Sequence, residues 1–542
     1  MQSKKILHVV EKGILLILSI FIFFWSIAEF DPQTAVDGGL IISGKVIFPE
    51  DYSNVTSIYF NGWNTLHQIS ALLLKIGLSQ EIISWLFVFS SSFALIVGLY
   101  LILFSLSESK IISFLITLVF FITQKHLGHV DYPTLTTSEH TYGLFTFSLF
   151  TLITGTLAVK NFKLSGFLIT ILMGFHLIAG LWSLGLVIFI FLLNKLFVKK
   201  DSEVFNQILQ GISFGFVLII ISFIFFYLNT IPKTLADNDL FEVYMQLWDH
   251  HRNIKHVHSF YLIKSLILVS FCISGIFLFS KRKLEDLFFL YFISSSILIS
   301  SVIYLLYKFY GNYFPELITR TMPTRLVGLH SVMGYLIIIG ICMKFIKVLG
   351  LKLNLSVNII YSIFFIVLFS YYAFFHHQKN VFERIQAIIE QKVMVRIAKF
   401  NKRISNNLDK DEVVFWDYIK DKNFKGYVVT NAQTTNLTLR KGLKPYIINA
   451  SFIDHLPYHP YTVRQSKLII EEIYGVDFEN PPSLYRGAIK DEWYKIKFEK
   501  RTEEEWKNLS EEFNLSAIIL PNEWDLNLNE TISSSKYSLY IF

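Results

Sequence analysis

Residues 28–51 read AEFDPQTAVDGGLIISGKVIFPED and begin at the end of the first long apolar run, Gly13 to Phe30. Glu29, Asp31 and Asp37 therefore stand where the chain leaves that run. A run that crosses about 30 Å of hydrocarbon needs roughly 20 apolar residues, and 13–30 approaches that length. Carboxylates beside hydrocarbon are costly unless solvated, paired or used, so acids at such a boundary mark a candidate site. The plainer reading is a hydrated acidic loop. What separates the two is whether other loops bring matching groups to the same face.

The rest of the chain supports the membrane setting. Of 542 residues 53% are hydrophobic, and 53 are Phe, a content that places the chain among polytopic membrane proteins with room for one soluble domain. The net charge of +7 comes from basic residues in short loops and in the last third, so it reads as topology, and no nucleic-acid partner is expected. Cys272 and Cys342 both lie in apolar segments, which excludes a disulfide framework and a CxxC metal site. Basic residues precede the 13–30 run and no small-residue cleavage site follows it, as expected of a retained span.

Eleven runs are long enough to span, near 13–30, 82–105, 110–127, 140–159, 164–181, 183–198, 205–228, 259–280, 286–307, 325–345 and 354–375. The fifth and sixth are nearly continuous, and a turn is expected at Gly180-Leu181-Trp182-Ser183-Leu184-Gly185. With the N-terminus inside, the dense basic clusters (Lys4, Lys5 and Lys12; Lys160 and Lys163; Lys195, Lys199 and Lys200; Lys281, Arg282 and Lys283; Lys344, Lys347 and Lys352) all fall on one side. Merging the fifth and sixth runs would destroy that alternation. The fold class expected is thus a polytopic α-helical membrane protein of about eleven spans, N-in and C-out, in a plasma or inner cell membrane.

Four longer loops then share the outer face. The first, 30–81, contains an amphipathic helix from Trp63 to Lys75 lying in the membrane interface. The second, 124–140, carries Asp131, Glu139 and His140; the third, 229–258, carries His250, His251, Arg252, Lys255, His256 and His258; the fourth, 308–324, brings Arg320 close to Arg325. After residue 375 hydrophobicity drops. Residues 376–410 read as a basic amphipathic connector, and 411–542 as an α/β domain with some parallel pairing. Its helices are expected at 411–422, 463–474 and 503–513, and its strands at 426–430, 446–448, 517–520 and 537–542.

Asp37 is the leading candidate for chemistry, since partial desolvation raises a carboxylate's proton affinity and Gly38-Gly39 permits close backbone approach of a ligand. Asp31, before Pro32, is biased to extended backbone and doubles as a turn residue, while Glu29 at a span end is placed to face a cavity. Glu139 after Ser138 is equally a helix-capping acid. Asp131, Glu139 or His140 could instead join Asp37 to orient an acceptor or to hold a divalent cation through oxygen ligands. In the third loop a phosphate partner suits Arg252, with His251 and His256 beside it, better than zinc does. Arg320 and Arg325 fit lipid-headgroup contact or simple topology anchoring equally well.

This layout resembles the GT-C superfamily of integral membrane glycosyltransferases, which use polyprenyl-phosphate-linked sugars. The matching features are a first span followed by an outward loop with an early acid and an interfacial helix, an acid in the next outward loop, and a C-terminal extracytoplasmic α/β domain. The resemblance implies Asp37 or Asp31 as the first-loop acid, Asp131 and Glu139 as the second-loop acids, and Arg252, Arg320 or Arg325 as contacts to lipid phosphate. It also implies inverting substitution at the anomeric carbon, with a lipid-linked sugar as donor and a glycan, lipid or protein as acceptor. Adjacent acids after the first span, as in protein mannosyltransferase-like members, are missing, as is a WWDYG stretch. Other classes stay in view: a lipid-linked glycan polymerase or ligase, a transporter, or a non-catalytic membrane scaffold.

Overall fold

The computed structural model describes residues 34–49, 54–123, 142–198, 203–231, 233, 235–249, 259–278, 283–310, 336–345, 347–348, 410–450, 453, 456–483 and 487–542, with isolated positions between 13 and 23. Among them, four helices are long and apolar enough to cross a membrane: Gln80–Ser107, Leu177–Leu196, Glu203–Leu228 and Leu284–Tyr310. Phe145–Ala158, Phe162–Phe175, Leu266–Phe277 and Leu336–Phe345 are apolar but shorter. The runs expected at 82–105, 205–228 and 286–307 are each one helix. The run at 354–375 and the connector at 376–409 lie outside the described residues.

The fifth and sixth runs are two helices, but the break is not at Gly180–Gly185. It falls at His176, whose φ of −150° and ψ of 91° end Phe162–Phe175 and begin Leu177–Leu193. The ring Nδ1 accepts from the backbone N–H of Ala179 at 3.4 Å, so a polar side chain caps the new helix where the glycines further on stay helical. Glu203–Leu228 leaves Phe214, Val217, Ile221, Phe225 and Leu228 exposed at helical spacing, a continuous apolar stripe compatible with lipid contact.

Gly211 and Gly215, four apart, set that helix against Phe162–Phe175. A Cβ at Gly211 would fall on the carbonyl oxygen of Lys163 and lie 2.8 Å from the backbone N of Phe167; one at Gly215 would meet the Thr170 Cβ at 2.7 Å. Small residues at this spacing let two backbones approach in a bilayer, where dispersion contacts drive helix association. Gly211→Leu is therefore expected to separate the pair and cost roughly 1–3 kcal/mol or more, read as a lower thermal midpoint of the detergent-solubilised protein.

The first loop is more ordered than its sequence suggested. Thr34–Ile42 and Asn54–Asn61 are helices, and the expected interfacial helix is Thr65–Lys75, capped by Asn64. Gly38 and Gly39 serve close approach, though to protein: a Cβ at Gly39 would lie 3.0 Å from the backbone carbon of Ser70 and 3.1 Å from the Ala71 N, so Thr65–Lys75 packs directly on Thr34–Ile42. The third loop also contains a helix, Asn238–Leu247, N-capped by the Asp237 side chain.

The C-terminal domain holds a four-stranded sheet in the order β1-β2-β4-β3, with β1 Tyr427–Thr430, β2 Leu515–Pro521, β3 Glu530–Ser533 and β4 Tyr537–Ile541. β1 and β2 are parallel, as the interleaved helices predicted, and the remaining pairs are antiparallel. The strand expected at 446–448 is reduced to one bridge, Val428 to Tyr446, because the chain turns away after Ile447 donates to the Val428 carbonyl. The helix expected at 463–474 is α-helical to Ile469 and widens to a π turn over Ile470–Tyr474.

This domain sits on the face that carries the first and third loops. Tyr244 donates from its hydroxyl to the Ile453 carbonyl at 2.9 Å, and Trp248 from its indole N–H to the Phe478 carbonyl at 2.9 Å. The Trp248 ring stacks on Phe478 with centroids 5.5 Å apart. Gln80, which begins the Gln80–Ser107 helix, donates to the Arg440 carbonyl at 2.8 Å. Glu108 ends that helix some 40 Å away by helical rise and pairs with Lys344 and Lys347, so the basic groups there occupy the end remote from the domain.

Candidate functional site

Asp37 is 1% exposed and sits at the seam between the first loop and the C-terminal domain. Its partner is Arg440, the last residue of the short helix Thr435–Arg440, 403 positions later. Arg440 Nε donates to Oδ1 at 2.6 Å and Nη2 to Oδ2 at 2.8 Å, a fork-to-fork pair. Because Gln80 holds the Arg440 carbonyl, the guanidinium is presented to Asp37 from a fixed backbone.

Around the pair stands a polar, aromatic cluster. Tyr59 and Tyr446 hydrogen-bond to each other, and burial together with the nearby Asp37 charge pushes the Tyr59 phenol well up from its usual range. Burial likewise raises Tyr446, which also bonds Asn449. The His67 ring lies edge-on to Tyr59 with centroids 5.1 Å apart. Burial, with His459 beside it, holds His67 down at about 3. Burial and then Lys233 hold His459 at about 4. Both imidazoles are therefore neutral near pH 7, and His459 shares a 2.9 Å hydrogen bond through Nδ1 with the Tyr461 hydroxyl.

Tyr59 also borders a narrow cleft, partly open to solvent, with room for about one water molecule. Phe60, Phe225 and Phe226 form its apolar sides, and Asn64, Gln68 and Asn229 supply amides. Its amide wall is fixed by the Glu203–Leu228 helix: Gln68 Nε2 donates to the Ser222 carbonyl at 3.0 Å, and the Ser222 hydroxyl donates back to Gln68 Oε1 at 2.5 Å. Trp63 Nε1 donates to Ser222 Oγ at 3.0 Å, and Asn64 Nδ2 to the Phe175 carbonyl at 3.2 Å. The cleft thus opens between the first loop and the end of the apolar Glu203–Leu228 helix.

Of the residues singled out from sequence, Asp37 lies within the described residues and in this cluster. Glu29, Asp31, Asp131, Glu139, His140, His251, Arg252, His256, Arg320 and Arg325 lie outside them. Arg440, Tyr59, Tyr446, His67 and His459 were not singled out. His67 had a signal, because it falls on the inner face of the helix read at 63–75, whereas Arg440 in an ordinary polar run had none. A divalent cation does not fit at Asp37, since both carboxylate oxygens face a guanidinium whose charge would repel it. Among the described residues no group of three or more His, Cys, Asp or Glu side chains is arranged to hold a metal.

Fold and site together define a class: a mostly helical chain with membrane-length apolar helices and a C-terminal α/β domain locked onto its loops by a buried ion pair. Compared with known proteins, the chain matches no family model and no curated sequence.

Proposed function

We propose that this is a polytopic membrane glycosyltransferase of the GT-C kind, which moves a sugar from a polyprenyl-phosphate donor to an acceptor on the face where the C-terminal domain sits. The observation that supports the reading is the buried polar cluster around Asp37, which lies between the C-terminal domain and the Thr65–Lys75 helix, itself hydrogen-bonded to the apolar Glu203–Leu228 helix. That face is taken as extracytoplasmic, because Lys160, Lys344 and Lys347 lie at the other ends of the apolar helices.

In the reaction an acceptor hydroxyl attacks the anomeric carbon, the bond from that carbon to the phosphate oxygen breaks, and polyprenyl phosphate leaves with the bonding electrons. The acceptor proton passes to a carboxylate, for which Glu29, Asp31, Asp131 and Glu139 are the candidates. Arg252, Arg320 and Arg325, with His140, His251 and His256, are candidates to neutralise the leaving phosphate. Asp37 takes a positioning role, since each of its oxygens already accepts from Arg440.

The test is release of polyprenyl phosphate from a panel of lipid-linked sugars by the purified protein in liposomes. Wild type is expected to turn over at least one donor, and single Asn or Gln substitutions at Glu29, Asp31, Asp131 and Glu139 to include one that loses at least 100-fold in rate while remaining folded. No turnover of any donor would overturn the reading in favour of a non-catalytic scaffold.

A further inference from the structure

We propose that the edge of the C-terminal domain nearest the bilayer is a docking surface for anionic phospholipid headgroups, formed by Lys420, Lys422, Lys425 and Lys441. Its depth follows from one hydrogen bond. Gln80 opens a helix of 28 residues, about 40 Å long against about 30 Å of hydrocarbon, so both ends of the helix reach past the acyl chains into the headgroup layer. The Gln80 side chain donates to the Arg440 carbonyl, which holds the next residue, Lys441, at that level. Leu72 and Ile76, shortly before Gln80 in the chain, are 61% and 64% exposed, as suits side chains that meet lipid and not water.

The four lysines share one surface. Gly442 packs on the helix Lys410–Asp421, where a Cβ would lie 3.0 Å from the Ile419 side chain. Lys444 closes the contact by donating from Nζ to the Lys420 carbonyl at 3.0 Å and to that of Lys422, so the turn that follows this helix lies beside Lys441. Lys420, Lys422 and Lys425 are exposed and make no ion pair with any described residue, while Lys441 stands 3.7 Å from Glu412. Glu412 is itself occupied by Lys536, and Asp417 and Asp421 are the exposed acids of the same stretch, so positive charge is in excess. Two aromatic rings stand among the lysines: Lys422 Nζ lies 4.8 Å from the Tyr418 centroid and Lys444 Nζ 5.4 Å from that of Phe424. Rings at headgroup depth with long cationic stems reaching past them suit the layer between acyl chains and water. Lipid phosphodiesters are the anions of that layer, and near an anionic surface each lysine strengthens association roughly fivefold. Lys441 follows the residue that pairs with Asp37, so lipid charge bears on how firmly the domain is seated.

Amide hydrogen exchange of the full-length protein in nanodiscs tests this. Exchange across 420–425 and 441–443 is expected to be roughly fivefold slower or more in discs that include phosphatidylglycerol than in phosphatidylcholine alone. The difference should vanish at about 1 M salt, where the Debye length falls to about 3 Å. Lys420→Gln, Lys422→Gln and Lys425→Gln together, which spare the Lys444 contacts, should abolish it while leaving exchange in phosphatidylcholine unchanged. Should that variant not fold, Lys425→Gln alone is expected to reduce the difference. Equal exchange in the two lipids, or a difference that survives these substitutions, overturns the surface. Inorganic phosphate that slows exchange in phosphatidylcholine discs as much as phosphatidylglycerol does would also overturn it, in favour of a site for the free anion. Sugar transfer plays no part in these readouts, so an inactive protein can still show the surface and an active one can lack it.

Discussion

Replacing Arg440 with alanine is expected to destabilise the protein by roughly 3–5 kcal/mol, because it leaves the Asp37 carboxylate buried with its main charge partner gone. Asp37 is 1% exposed, so water cannot take over the two hydrogen bonds that Arg440 Nε and Nη2 provide. The pair also joins the first loop to the C-terminal domain, so the loss should appear as a lower thermal midpoint and faster proteolysis of the full-length protein. The double variant Asp37→Leu with Arg440→Met is the sharper measurement. Two apolar side chains of similar volume remove both desolvation costs at once, and most of the lost stability should return. Recovered stability with recovered transfer would confirm that Asp37 acts by positioning. Recovered stability without transfer would return Asp37 to the reacting groups.

Acidification is the second large effect. His67 and His459 are held at about 3 and about 4, against an ordinary value of 6.5, chiefly by burial. Above pH 6.5 both are neutral whether the chain is folded or not, and they contribute no pH dependence. Below it the unfolded chain takes up protons that the folded state refuses, so stability falls with pH until the folded imidazoles themselves titrate near 4 and 3. At pH 5 the gap amounts to about 2 kcal/mol per histidine, or about 4 for the pair. Denaturation midpoints between pH 7.5 and 5 should show that slope, and His459→Gln should remove about half of it. A flat profile in wild type would mean that the imidazoles are not buried as described.

Sequence and structure divide along a physical line. Membrane-length helices are local: Glu203–Leu228 and Leu284–Tyr310 follow from unbroken apolar composition over a bilayer's thickness, and Glu503–Phe513 from its Thr502–Glu505 capping box. Some parallel pairing in the C-terminal domain was equally legible from the helical segments between its strands, though not that it joins β1 to β2. The break at His176 was not, since a nearby Gly/Trp cluster carried the stronger turn signal and only the Ala179 cap decided between them. Nor was the helix at Asn238–Leu247, whose inner residues Phe241 and Tyr244 face another domain and not a bilayer.

The site divides in the same way. That Asp37 stands just beyond an apolar run was readable, and with it the choice between a solvated, a paired and a reacting carboxylate; that it is buried was not. The identity of that partner was not, since 403 residues separate Asp37 from Arg440 and nothing in either neighbourhood marks the other. The sequence by itself determined a membrane chain with an appended α/β domain and an acid that needed an answer. Tertiary structure alone decided the answer, because charge pairing and cleft shape depend on distances in space that no local pattern of residues encodes.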